Sequence, residues 1–197
     1  MEPHATSEGT SAVPTKTPPS SRDARLRKFF DFFDLDRDGD ITHDDLLAMA
    51  ARIAAAFDVP PGSPKDVALT NAFQGFWHEL LKSLDIDGDR RINDREYRDG
   101  MIAAFATSGG FEHGLRQLIK AAVEVADTDG NGTLEPAEFR RLEEAIGNPA
   151  EDSEEAFAKL DTDNDGSLTV EELLDAARQF HTGTDLDALG NWLFGSL

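Results

Sequence analysis

Residues 161–172 read DTDNDGSLTVEE. Asp161, Asp163 and Asp165 alternate with uncharged side chains, Gly166 follows, and the stretch closes on Glu172. A hard cation such as calcium takes about six to eight oxygen ligands, and alternating carboxylates folded around one point supply them. In a twelve-residue loop of this kind positions 1, 3, 5 and 12 give side-chain oxygens, and position 7 gives its backbone carbonyl. Position 6 turns sharply and favours Gly, while an aliphatic position 8 pairs with a partner loop. Ser167 and Leu168 hold positions 7 and 8 here. Thr169 and Glu172 have the spacing of a capping box, so the glutamate that closes the shell also lies in the positive first turn of an exit helix.

Three further stretches repeat the pattern. Residues 127–138, DTDGNGTLEPAE, satisfy every position through Asp127, Asp129, Asn131, Gly132, Thr133, Leu134 and Glu138. Pro136 suits the first turn of the following helix. Residues 34–45, DLDRDGDITHDD, offer Asp34, Asp36, Asp38, Gly39, Asp40 and Ile41, but close on Asp45. Aspartate is one methylene shorter than glutamate, so bidentate closure is harder. A smaller coordination number is expected, shifting this loop toward magnesium or weaker calcium. Residues 85–96, DIDGDRRINDRE, keep Asp85, Asp87, Asp89, Ile92 and Glu96, with Arg91 at position 7. Position 6 is Arg90, where a positive φ costs on the order of 1 kcal/mol. Arg90, Arg91 and Arg95 also offset the local negative field, making this the least regular of the four.

Charge supports the same chemistry. The formal net charge is −20, and 20 of the 39 acidic residues fall in these four loops. A merely solvated surface would intersperse the two signs. So negative a chain is repelled by nucleic acid and by anionic membranes. A hydrophobic content of 39% with 13 Phe favours a folded protein over an acidic disordered one. The absence of Cys excludes disulfides, thiolate metal sites and cysteine nucleophiles. Residues 1–21 are rich in Pro, Ser and Thr with no apolar run, and read as a disordered tail without a signal peptide or membrane span. A soluble, cytoplasmic, monomeric protein is the expectation.

Apolar residues around each loop recur at helical spacing. Leu26, Phe29, Phe30 and Phe33 lead into the first loop, and Leu46, Leu47, Ala50, Ile53 and Phe57 leave it. Phe73, Phe76, Trp77, Leu80, Leu81 and Leu84 enter the second, and Met101, Ile102 and Phe105 lie beyond it. Phe111, Leu115, Leu118 and Ile119 enter the third; Phe139, Leu142 and Ile146 follow it. Ala156, Phe157 and Leu160 precede the fourth, and Leu173, Leu174, Ala177 and Phe180 follow it. The fold class is therefore all-α: helix–loop–helix four times over, in two pairs packed into one globule. The breaks DVPPGSPKD (58–66) and TSGG (107–110) punctuate it, giving pair 1 over 22–106 and pair 2 over 107–183.

His43, His78, His113 and His181 share no spacing with a nucleophile or carboxylate pair, so no catalysis is expected. The final stretch ALGNWLFGSL, within an apolar tail at 184–197, reads as a segment folded back on the core or as a calcium-regulated plug.

Loop starts at 34, 85, 127 and 161 leave an uneven first interval, and this arrangement resembles the sarcoplasmic calcium-binding protein family of EF-hand proteins. Its actinobacterial members, the calerythrins, look especially similar, through Asp45 at position 12, the following AAAFDV, and EELLDAARQFHTG (171–183) with DLDALG (185–190). The resemblance implies two EF-hand pairs in one compact body, with Ca2+ at the positions named above. It implies a degenerate second loop as well, which Asp85, Asp87, Asp89 and Glu96 put in doubt. It implies calcium buffering or signal modulation. Two alternatives stay open: a calcium sensor that exposes a hydrophobic surface to an unknown target protein, and a coelenterazine-type small-ligand binder of the same fold. Adaptable target grooves favour Met, and only Met1, Met49 and Met101 are present, which tilts toward buffering.

Overall fold

The computed structural model describes residues 21–107 and 109–182. The expected N-terminal tail, all but Ser21, and the expected apolar tail at 184–197 lie outside those residues. Among the described residues the chain forms eight α-helices: α1 (Ser21–Phe33), α2 (His43–Ala56), α3 (Pro64–Leu84), α4 (Asp94–Thr107), α5 (Gly109–Ala126), α6 (Pro136–Ile146), α7 (Ser153–Leu160) and α8 (Val170–Thr182). A 3₁₀ turn at Ala150–Asp152 leads into α7.

Local chemistry sets the helix limits. Ser63 caps α3 by accepting from Asp66 N at 3.3 Å, with Pro64 at the first helical position. Gly147 ends α6 in the left-handed region at φ 97°, and Asn148 N then returns to Glu143 O at 2.9 Å. Gly100 has a different reason. A Cβ there would lie 2.6 Å from Leu84 Cδ2, so its bare Cα lets α4 approach the end of α3.

Each half is tied by its loops. Strand β1 (Asp40–Ile41) pairs antiparallel with β2 (Ile92–Asn93), placing Ile41 opposite Ile92. In the second half Leu134 N donates to Leu168 O at 2.9 Å and Leu168 N returns to Leu134 O at 2.8 Å. All four position-8 side chains are fully buried. Each aliphatic burial contributes on the order of 2 kcal/mol, which couples the two loops of a pair energetically.

The halves share one core. Phe29 and Phe33 meet at a tilt, 4.9 Å between ring centres, Phe33 meets Phe76 at 5.7 Å, and Phe76 meets Phe111 of the second half at 5.4 Å. Helix α3 packs against α5 more extensively than any other pair. Arg141 of the second half reaches Asp58 of the first at 2.9 Å while lying over the Phe57 ring. The two EF-hand pairs are thus joined by a continuous aromatic contact rather than held apart on a linker.

Candidate metal centre

Every loop has the same skeleton. The helix entering it ends on the position-1 aspartate, whose two oxygens accept backbone N–H groups from inside the loop. Asp34 Oδ1 accepts from Asp38 at 3.1 Å and Oδ2 from Gly39 at 3.0 Å. Asp127 accepts from Gly130 at 2.7 Å and Gly132 at 2.8 Å, and Asp161 from Asp165 at 3.1 Å and Gly166 at 3.0 Å. Position 3 accepts from the N–H of position 5, and position 5 from that of position 7, as in Asp163–Asp165 (3.2 Å) and Asp165–Ser167 (2.8 Å). Asp36, Asp87 and Asp129 do the same at position 3, and Asp38, Asp89 and Asn131 at position 5. These bonds turn the remaining lone pairs toward a common centre.

Position 12 closes the ring by spanning both ends of the loop. Glu172 Oε1 accepts from Thr162 N at 3.0 Å and Oε2 from Thr169 N at 2.9 Å. Glu138 makes the equivalent pair with Thr128 (2.7 Å) and Glu135 (3.1 Å), and Glu96 with Ile86 (2.9 Å) and Asn93 (3.2 Å). Asp45 does likewise with Leu35 (3.1 Å) and Thr42 (2.9 Å). As a result Asp34–Asp36–Asp45, Asp85–Asp87–Glu96, Asp127–Asp129–Glu138 and Asp161–Asp163–Glu172 each bring three carboxylate oxygens within 4.8 Å of one another.

The two irregular loops keep this skeleton. Asp45 spans its loop despite its short arm, helped by the Thr42 hydroxyl at 2.6 Å. Arg90 does take the positive φ, at 66°, and its N–H still reaches Asp85 Oδ2 at 3.1 Å. The second loop is not exceptional in this strain. Position 4 also turns left-handed in every loop: Arg37 at 60°, Gly88 at 78°, Gly130 at 80° and Asn164 at 58°. Loop 1 places Arg at 4 and Gly at 6, and loop 2 the reverse, so each carries one non-glycine residue there. Gly88, Gly130 and Asn164 were the legible sign of this second turn. Sequence reasoning also missed the hydroxyls of Thr42, Thr128 and Thr162 on the closing carboxylate. It assigned the Arg91 side chain to its own loop's field. The guanidinium instead crosses to Asp38 and Asp40 of loop 1, because Ile92 beside it pairs with Ile41.

Electrostatics separate the loops. Burial pushes the Glu138 carboxyl up, but the hydroxyl and N–H of Thr128, with Glu135, outweigh it and hold the group down at about 2. Glu172 is lowered by the same competition, its donors being Thr169 and Thr162. Asp34 moves the other way: burial raises it, and Asp45 and Asp38 add like-charge repulsion against the N–H groups of Gly39 and Asp38. Loop 1 also packs the most carboxylates of the four.

Four loops of alternating oxygens, each closed by a carboxylate on the exit helix and joined in pairs at position 8, define the EF-hand class of divalent-cation proteins. Comparisons with known proteins agree. An EF-hand domain-pair model matches residues 116–178, and an EF-hand model matches 26–50. Calerythrin from Saccharopolyspora erythraea is 30% identical over 170 residues, covering 84% of this chain and 96% of that protein. The structure of a calcium-binding protein from Streptomyces coelicolor superposes with a TM-score of 0.76 at 32% identity, over 82% of this chain and 98% of the other. A sarcoplasmic calcium-binding protein from amphioxus shares the fold, with a TM-score of 0.72 at 17% identity over 91% and 98% of the two chains. The chain belongs to the calerythrin family of EF-hand calcium-binding proteins.

Proposed function

We propose that this protein is a cytoplasmic calcium buffer or signal modulator whose four loops all take a cation. The convergence of three carboxylate oxygens in every loop, loop 2 included, carries this reading. Side-chain oxygens would come from Asp34, Asp36, Asp38 and Asp45; Asp85, Asp87, Asp89 and Glu96; Asp127, Asp129, Asn131 and Glu138; and Asp161, Asp163, Asp165 and Glu172. The carbonyls of Asp40, Arg91, Thr133 and Ser167 would complete each set. Loop 1, with aspartate at position 12, is the site where magnesium competes. On this reading the chain acts as a monomer, and its carboxylates serve cations rather than a catalytic step.

Buffering is favoured over target capture because the apolar faces are spent on the core. The only large hydrophobic residues exposed among the described residues are Val67 and Ile86. A small-ligand role is not favoured. The apolar cavity bounded by Phe32, Phe33, Met49, Phe73 and Leu115 has a volume of about 80 Å³. That is about half the roughly 150 Å³ of an engineered cavity that binds benzene or xenon.

Calorimetric titration with calcium, with and without magnesium, tests the proposal. Four binding equivalents are expected, one of them depressed by magnesium. Each ion held at 100 times its dissociation constant adds roughly 2.7 kcal/mol to stability, so melting in calcium should lie well above melting in chelator. Equal melting temperatures would sink the reading.

A further inference from the structure

Arg91 belongs to loop 2, yet its side chain serves loop 1. Its Nε donates to Asp40 Oδ2 at 2.7 Å and its Nη2 to Asp38 Oδ2 at 2.6 Å. The other oxygen of Asp38 accepts the Asp40 N–H at 3.0 Å. Among the described residues, no other carboxylate at position 1, 3, 5 or 12 of any loop forms an ion pair. The remaining ones are held by neutral N–H and hydroxyl donors. The asymmetry also falls on the loop with the most carboxylates, since loop 1 contains six aspartates, at 34, 36, 38, 40, 44 and 45.

We propose that Arg91 is a tethered counter-cation of loop 1, which stabilises the metal-free loop and lowers its affinity for a divalent ion. This rests on the calcium-binding reading above and deepens it. Without an ion, the guanidinium offsets repulsion between Asp38, Asp40 and their neighbours. When an ion arrives, the same charge faces a dication across one carboxylate, and a repulsion between the two cations is added. The residue whose carbonyl stands at position 7 of loop 2 therefore sets the strength of loop 1. A guanidinium that merely oriented Asp38 for binding would have the opposite effect on affinity.

The test uses the full chain with Arg91→Gln and Arg91→Lys, neither of which removes the position-7 carbonyl. Calcium titration at low ionic strength is followed by backbone amide NMR. Gly39 reports loop 1, while Gly132 and Gly166 report loops 3 and 4. In Arg91→Gln the Gly39 midpoint should move to about fivefold lower calcium, a shift that shrinks at high salt. Gly132 and Gly166 should keep their midpoints, and melting in chelator should fall. Arg91→Lys, which keeps the charge, should stay near the parent protein. A Gly39 midpoint that stays put or moves to higher calcium in Arg91→Gln overturns the counter-cation role while calcium binding stands. If Gly132 and Gly166 of the parent protein do not respond to calcium, the calcium reading falls, and this proposal with it.

Discussion

The N–H of Leu35 donates to Asp45 Oδ1 at 3.1 Å, so the closing aspartate of loop 1 reaches the loop's first turn although its arm lacks a methylene. Leu35 N–H and Thr42 N–H grip the two oxygens of Asp45 separately, as the longer glutamates are gripped in the other loops. The shorter side chain makes bidentate closure on an ion harder. A tighter ring suits an ion that demands six short bonds, and a wider one suits calcium.

Asp45→Glu should therefore raise the calcium affinity of loop 1 and lower its magnesium affinity. Calorimetry with each ion, and with calcium after magnesium saturation, measures the ratio. An unchanged calcium-to-magnesium preference would show that the arm length of residue 45 does not set selectivity.

Leu134 and Leu168 bond to each other through their main chains and bury both side chains completely. Leu168→Ala should cost about 2–5 kcal/mol of stability in calcium, measured by denaturant unfolding. It should also make the filling of loops 3 and 4 less cooperative, because the bridge transmits order from one loop to the other. Cooperativity retained at the parent level would assign the coupling elsewhere.

Gly100→Ala places a methyl group against Leu84 Cδ2 at 2.6 Å, next to Ser83 O at 3.4 Å. Leu84 is fully buried and has little room to turn. The substitution should destabilise by roughly 1–3 kcal/mol through overpacking, despite the better helix propensity of alanine. A stability equal to or above that of the parent protein would show that α3 and α4 part without cost.

Glu143 is 3% exposed, and burial pushes its carboxyl up to about 8, with Asn148 Nδ2 at 2.6 Å and the Lys28 charge opposing. Between its unfolded value near 4.5 and about 8, the folded state holds the extra proton, so stability falls as pH rises through that window. Lys28, lowered from 10.5 to about 8 by burial against the charges of Asp152 and Glu143, acts the other way above pH 8. The calcium-loaded protein should show its weakest contribution from this pair near pH 8. Glu143→Gln should flatten the fall between about pH 5 and 8, by at most about 1.4 kcal/mol per pH unit. Parallel melting curves for the two proteins across that range would refute this.

The amino-acid sequence by itself determined the four loops, their helices and the pairing residues at position 8. Those features depend on residues within a dozen positions of one another: carboxylates at spacing two, a glycine where the chain must turn, a capping carboxylate and apolar periodicity. The left-handed turn at position 4 was not read there, and Arg37 in the first loop takes it without being glycine. The tertiary structure decided what depends on long-range approach. It places Arg91 on Asp38, some 53 positions away, and Phe76 on Phe111 across the break at 107–110. It also buries Glu143 where its charge is costly. A spacing pattern records which atoms can converge on an ion, because one turn of chain brings them together. It does not record which distant side chain the folded surface will set beside them, because that neighbour is chosen by packing.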